Sequence, residues 1–315
     1  MKIDSVLAKF GPLNYTLNLY YGLFGEWKEG EPLKYSAETQ QKIDDNFKQR
    51  LINNPDEFDG NVLVTNFNDS DEVFTLTPSK YSSFVAAQRG IVNLHTPSGT
   101  ACLVITKDNK LVIGSRDKEK NAKDPSQYPI QFPSGLHDYN EEQSHFLKQL
   151  NDSKSDGKDR VGLFFENEGK REMLEELASI EDCNIESLGV IGFTTGKIGR
   201  AEMVKTVFAL YKINLTFQEL DEKRGVERPK DFGELSMIQG ISLENIVDIL
   251  NNGSAIDFDN KNRRFADYQS TGLQLLYQRM FEVCHKAMAE SCLPSTSLQQ
   301  IQDCRALTQD GCSRQ

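Results

Sequence analysis

Residues 100–116, TACLVITKDNKLVIGSR, place two β-branched apolar runs on either side of Asp108-Asn109. This is the pattern of a β-hairpin, because Asp and Asn tolerate turn conformations that most residues resist. A Gly/Pro-containing loop, YPIQFPSGLHDYNEE, comes next, then the helical segment GKREMLEELASI, then two more strand-like runs, SLGVIGFT and MVKTVFALYKI. Strands that precede and follow an amphipathic helix need a common sheet on which the helix can bury its apolar stripe, so the chain reads as α/β. ELSMIQGI leads into a further helix, SLENIVDILNN, and a last amphipathic helix starts near Phe265 and runs into the 280s.

The first 95 residues read as an N-terminal α+β extension. Residues 1–35 are a poorly patterned start punctuated by Gly and Pro. Ser36 is placed to cap a helix running to about residues 49–52, which the turn-forming NNPDEFDG ends. NVLVTNF and EVFTLTPS flank NDSD as a second hairpin, and KYSSFVAAQRG is a short helix closed by Gly90. The main domain is then expected over 96–290. Residues 142–163 read as an exposed, dispensable excursion because their centre is Asp, Ser, Lys and Gly, and 291–315 form a polar tail.

A chain of 315 residues with 38% hydrophobic content can build one large core or two modest ones. Its formal charge of −11 argues against nucleic acid and anionic membrane as partners, since both require a basic surface. There is no run of about eighteen apolar residues, and the start MKIDSVLAKFGPLNY lacks a secretory pattern, so a cytoplasmic protein is expected. Six cysteines without a C-x-x-C spacing point to reduced thiols rather than zinc or a redox pair.

On a helix, REMLEEL brings Glu172, Glu175 and Glu176 together through i, i+3 and i+4 spacing, and the expectation is that Met173, Leu177 and Ile180 gather on the opposite face. Three neighbouring like charges repel unless a cation sits among them, and carboxylate oxygens are the hard ligands magnesium prefers. Arg171 lies one turn before Glu175 and can pair with it. Solvated acidic helix faces are common, so this heptapeptide alone leaves an ordinary helix and a metal site both open.

Gly135, Glu141, Arg171, Glu172, Met173, Glu175 and Glu176, taken in order, resemble the signature of the Nudix hydrolases, G-x5-E-x7-R-E-U-x-E-E-x-G-U with U a bulky apolar residue. The resemblance implies a Nudix fold, a mixed β-sheet packed between helices. It also implies divalent metal, magnesium with manganese as the alternative, held against a substrate diphosphate. Glu172, Glu175 and Glu176 would be metal ligands or orient the attacking water, and Gly135 would let the loop approach the helix closely. The chain departs from the signature in two places. Twenty-nine residues separate Glu141 from Arg171 where the signature has seven, so Glu166 or Glu168 are alternatives to Glu141, and Ala178 and Ser179 stand where it has Gly and an apolar residue.

The order of further segments is similar to the animal branch of the family that hydrolyses UDP-glucose and UDP-galactose. It includes the Pro55–Asp59 turn, LTPSKYSSFVAAQRG, the P-x-G loop and Gly199-Arg200. This implies a pyrophosphatase for a nucleoside diphosphate sugar, with ADP-ribose or dinucleotide hydrolysis, or a Nudix-like binding module without turnover, as the rivals. Arg116, Arg200 and Arg89 are then candidates to contact the substrate, because guanidinium binds phosphate oxygens in pairs. Of the four histidines, only His137 lies in the P-x-G loop; none has ligand spacing, and they are expected to be structural or exposed.

Overall fold

The structure, a computed structural model, describes residues 3–10, 13–20, 27–29, 31–55, 57–68, 73–92, 98–115, 130–152, 160–177, 180, 184–195, 197–198, 201–202, 205–227, 235, 237–252, 255–258, 261–265 and 269–280. The first elements are β1 (Ile3–Phe10), β2 (Leu13–Tyr20), β3 (Trp27–Glu29), α1 (Ala37–Asn53), β4 (Asn61–Asn68), β5 (Val73–Lys80) and α2 (Tyr81–Gln88). Next come β6 (Ser98–Ile105), β7 (Lys110–Ser115), β8 (Ile130–Gln131), β9 (Ser134–Leu136), α3 (Glu141–Asp152) and α4 (Arg160–Glu176). The rest are β10 (Ile185–Thr195), β11 (Lys197–Ile198), β12 (Ala201–Glu202), β13 (Lys205–Ile213), α5 (Phe217–Val226), β14 (Met237–Ser242), α6 (Ile246–Asn251), β15 (Ala255–Phe258) and β16 (Lys261–Arg264), followed by helical residues 269–280. The fold is mixed α/β. One sheet runs β1-β2-β10-β13-β6-β7-β14, with β8 on β7 and β9 on β6, and a smaller mixed sheet runs β3-β5-β4.

By contacts the chain divides into two compact units, and β6, β10, β13 and α4 each contribute residues to both. The first unit holds residues 1–102, 134–172 and 188–209. Ser36 caps α1 by accepting from the Thr39 amide at 3.2 Å, and Gly90 takes the positive φ of 73° that closes α2. Ile43 of α1 and Ala86 and Ala87 of α2 form one small cluster. A larger cluster joins Leu63, Phe74, Leu147, Leu150, Phe164, Phe165 and Phe193, with ring centroids of Phe74 lying 5.8 Å from Phe165 and 5.4 Å from Phe193.

Two expectations are corrected in this unit. The start of the chain is a hairpin, paired from Phe10↔Leu13 to Ile3↔Tyr20, and β10 adds to it from Thr195↔Thr16 to Gly192↔Leu19. The signal was the alternation of LNYTLNLY, which the neighbouring Gly and Pro residues obscured. Residues 142–163 are not an exposed excursion either: α3 and the start of α4 occupy both ends of that window, and Leu147, Leu150 and Val161 belong to the core. Asn140 caps α3 by accepting from the Glu142 and Gln143 amides. The polar centre of the window, 153–159, lies outside the described residues.

The second unit holds residues 103–133, 173–187 and 210–315. The hairpin at Asp108-Asn109 forms with Asn109 at a φ of 56°, and β14 pairs antiparallel with β7. Phe132 and Phe265 face each other at 5.4 Å, and the Phe132 amide donates to Gln269 of the last helix. Helix α5, which apolar periodicity does not announce, is fixed by a capping box in which Thr216 and Glu219 satisfy each other's amides. Among the described residues no helix is long and apolar enough to cross a membrane.

Candidate functional site

Helix α4 carries the acidic segment, and its buried face is continuous from end to end. Val161, Phe164 and Phe165 begin it; Glu168, Glu172 and Met173 continue it; Glu176 and Leu177 finish it. At 100° per residue, Glu168, Glu172 and Glu176 lie within about 80° of arc, and Met173 is only about 100° from Glu172. The acids are therefore beside the apolar stripe rather than opposite it, which corrects the expectation from sequence. Glu168 is 1% exposed, Glu172 7% and Glu176 2%, while Glu175 is half-buried.

Buried carboxylates are costly unless something balances them. Arg171 does so for two of them. Its Nη2 donates to Glu172, to Glu168 at 3.3 Å and to the Leu136 carbonyl at 3.4 Å, and its Nε also donates to Glu168. The Glu168 carboxyl is pushed above its ordinary range by burial; Arg171 and a hydrogen bond from Gln143 pull it down, and nearby Asp138 pushes it up. One turn farther along α4, within the second unit, buried Arg224 of α5 donates to the Glu176 carbonyl at 3.5 Å.

The segment from β9 to α3 packs against the first unit's part of this helix. Gly135 pairs with Thr100 of β6, and the Glu172 carboxylate occupies the space where any side chain at 135 would sit. His137 is fully buried: its Nδ1 is 2.5 Å from Ser98 Oγ, its Nε2 2.7 Å from Thr100 Oγ1, and its ring lies against Phe164 and Phe165. Burial first, and the Arg171 charge second, hold its pKa down at about 3, so it is a neutral structural residue. Cys102 Sγ donates to the Gly169 carbonyl at 2.9 Å, a bond that ties α4 to β6.

The structure thus brings Gly135, Arg171 and Glu172 together with Glu168. Of the alternatives for the signature's first acid, Glu141 is exposed beside a surface cavity of about 650 Å³, which Tyr139, His145 and Lys148 also line. Glu166 is half-buried, and Glu168 is the one that Arg171 holds. Arg89 ends α2 and donates to Asn46 Oδ1 of α1 at 2.7 Å. Arg116 and Arg200 lie outside the described residues. Gln143, buried on α3 and near enough to Glu168 to favour its ionised carboxylate, is the residue that sequence reasoning missed; its signal was a shared helical phase with Leu147 and Leu150.

Carboxylates one turn apart on α4 are hard oxygen donors of the kind a magnesium ion takes. Among the described residues, however, no three or more His, Cys, Asp or Glu side chains are grouped to hold a metal.

No protein-family model and no curated protein matches this chain. Solved structures do match, among them the crystal structure of the MutT protein from Methanosarcina mazei Go1. That match is 10% identical, covers 58% of this chain and 94% of that one, and has a TM-score of 0.28. A likeness this weak assigns no activity.

Proposed function

We propose that the chain is a Nudix-type hydrolase that uses magnesium, with manganese as the alternative, to cleave the pyrophosphate bond of a nucleoside diphosphate sugar. The observation that carries the reading is the seating of the Glu172 carboxylate against Gly135. The two halves of the signature-like pattern, far apart in sequence, meet there. The order of segments from Pro55 to Arg200 favours UDP-glucose or UDP-galactose, giving UMP and hexose 1-phosphate in a reducing, cytoplasmic setting.

Glu172 and Glu176, with Glu175 beside them on the helix, would hold the ion. Magnesium bound there would neutralise diphosphate oxygens and lower the barrier to attack by water. Arg171 keeps Glu172 in one orientation by hydrogen bonding to it. Glu175, the least buried of the three, takes the proton released as water bonds to phosphorus and the bridging P–O bond breaks. Arg116, Arg200 and Arg89 would contact the phosphates or the sugar.

The test is product analysis of the purified chain with magnesium on a panel of nucleotide sugars and dinucleotides. UDP-hexoses should be hydrolysed faster than ADP-ribose; the reverse order would reject the UDP-sugar assignment and keep the hydrolase. Glu176→Gln should reduce turnover to background with the fold intact, and unchanged hydrolysis would remove Glu176 from the site. A second reading, a Nudix-like binding module without turnover, is favoured by the way Arg171 occupies Glu172 and by the lack of a grouped metal-ligand set among the described residues. Calorimetric binding of UDP-glucose with no product formed would select it.

A further inference from the structure

Within the second unit, β6 and β13 end and β10 begins around a surface cavity of about 550 Å³. Lys107, just beyond β6, and Lys212, near the end of β13, both line it. Asn184 and Asn214 line it as well, together with Glu186 at the start of β10. None of the residues assigned above to the hydrolytic site is among its lining residues, and no aromatic ring is either.

Elsewhere on this acidic chain lysines find carboxylates. Lys42 pairs with Glu38, Lys48 with Asp45, Lys110 with Asp108 and Lys223 with Glu227. Lys107 and Lys212, both exposed, form no ion pair among the described residues, not even with Glu186 at the same cavity. Two acids close by are already engaged. Asp108 accepts from Thr106 and from the Phe217 amide and pairs with Lys110, while Glu219 closes the capping box with Thr216 and lies beyond ion-pair distance of Lys107.

Two ammonium groups lining one cavity make it a cationic spot on a chain whose formal charge is −11, and such a spot concentrates anions from solution. Lysine meets phosphate oxygens as a point charge, and the two positive charges match a phosphate monoester, which carries about −1.5 to −2 at pH 7. The Asn184 and Asn214 amides supply neutral donors beside them. Glu186 repels an anion but accepts hydrogen bonds from hydroxyl groups, so the ligand that suits all five side chains has a phosphate at one end and hydroxyls at the other. With no ring to stack on, a nucleobase has no platform there. The volume is that of a small-molecule site.

We propose that this cavity binds a hydroxylated phosphate monoester of the sugar phosphate class, with Lys107 and Lys212 on the phosphate and Glu186 on the hydroxyls. The proposal is independent of the hydrolytic reading.

The test is calorimetric titration of the full chain with glucose 1-phosphate and, separately, inorganic phosphate, at physiological ionic strength with EDTA present to keep metal away. Wild type, Lys107→Gln, Lys212→Gln and Glu186→Ala are compared. Each lysine substitution should weaken glucose 1-phosphate by about tenfold, the size expected for losing one charge-assisted hydrogen bond. Melting temperatures without ligand should match wild type, because neither lysine has an ion pair to lose. Glu186→Ala should weaken glucose 1-phosphate and tighten inorganic phosphate. On the wild-type chain, glucose 1-phosphate should slow acetylation of Lys107 and Lys212, followed by peptide mass spectrometry, and leave Lys42 unaffected. Equal affinity in both lysine variants, equal protection of all three lysines, or no protection at millimolar ligand would overturn the site. Tightening of both ligands by Glu186→Ala would overturn the sugar phosphate assignment. Should a variant melt early, the protection pattern of the wild-type chain decides.

Discussion

Helices α1 and α4 are both 17 residues long and both rich in acids, yet they distribute charge in opposite ways. In α1 the acids face water: Glu38 pairs with Lys42 at 2.7 Å with both side chains largely exposed, and Ile43 and Phe47 are turned inward. In α4 the column Glu168, Glu172 and Glu176 is turned inward with Phe164 and Phe165, and exposed Leu163 faces out. Amphipathic patterning describes the first helix correctly because desolvating a charge normally costs more than it returns. It misreads the second, where a guanidinium supplied from the neighbouring position makes burial tolerable. Acids that a helix buries despite that cost are the ones to examine for chemistry.

The contrast can be broken most forcefully at the aromatic end of the inward face. Phe165→Ala removes a ring packed against Phe74, Phe164 and His137, and should cost about 3–5 kcal/mol in urea unfolding, with turnover per folded molecule unchanged. A loss below about 1 kcal/mol would mean that α4 does not bury this face as described.

A smaller effect comes from acid. His137 against α4 has its pKa depressed from 6.5 to about 3, so the unfolded chain binds a proton there that the folded chain refuses. Stability from this group is complete above pH 6.5 and is lost as pH falls toward 3, amounting to about 2 kcal/mol between pH 7.5 and pH 5. The Glu168 carboxyl, raised by burial, acts in the opposite sense and gains relative stability as it protonates. Urea unfolding at the two pH values checks the sign, and a flat profile would show that the imidazole is not held neutral. The smallest effect belongs to α1: Lys42→Ala should leave the melting temperature unchanged, since exposed pairs of this spacing contribute little.

Local signals were legible where one residue type has one conformational use. Ser36 before a helix, Asn109 in a two-strand turn and Gly90 after α2 each stand where their backbone preference is required. Segments failed where the signal was spread thinly. The alternation in β2 lay between Gly and Pro residues, α5 depends on two side chains three positions apart, and α3 buries one short stripe under a polar composition. At the candidate site, the acidic spacing was visible but its orientation was not. Helical phase puts Glu172 between an outward and an inward neighbour, and only packing against Gly135 decides which way it faces. Gln143 shares a helical phase with Leu147 and Leu150, which marks it as inward-facing, but nothing in the sequence marks Glu168, 25 positions away, as its neighbour.

The hydrogen bond from Cys102 to the Gly169 carbonyl gives this chain an internal clock. A thiol with no solvent exposure reacts with an alkylating reagent only during the moments when β6 and α4 part, so its labelling rate counts those openings directly. Because the sulfur sits under the same helix that carries Arg171 and Glu172, that rate reports how often the helix lifts from its strand without any probe being introduced.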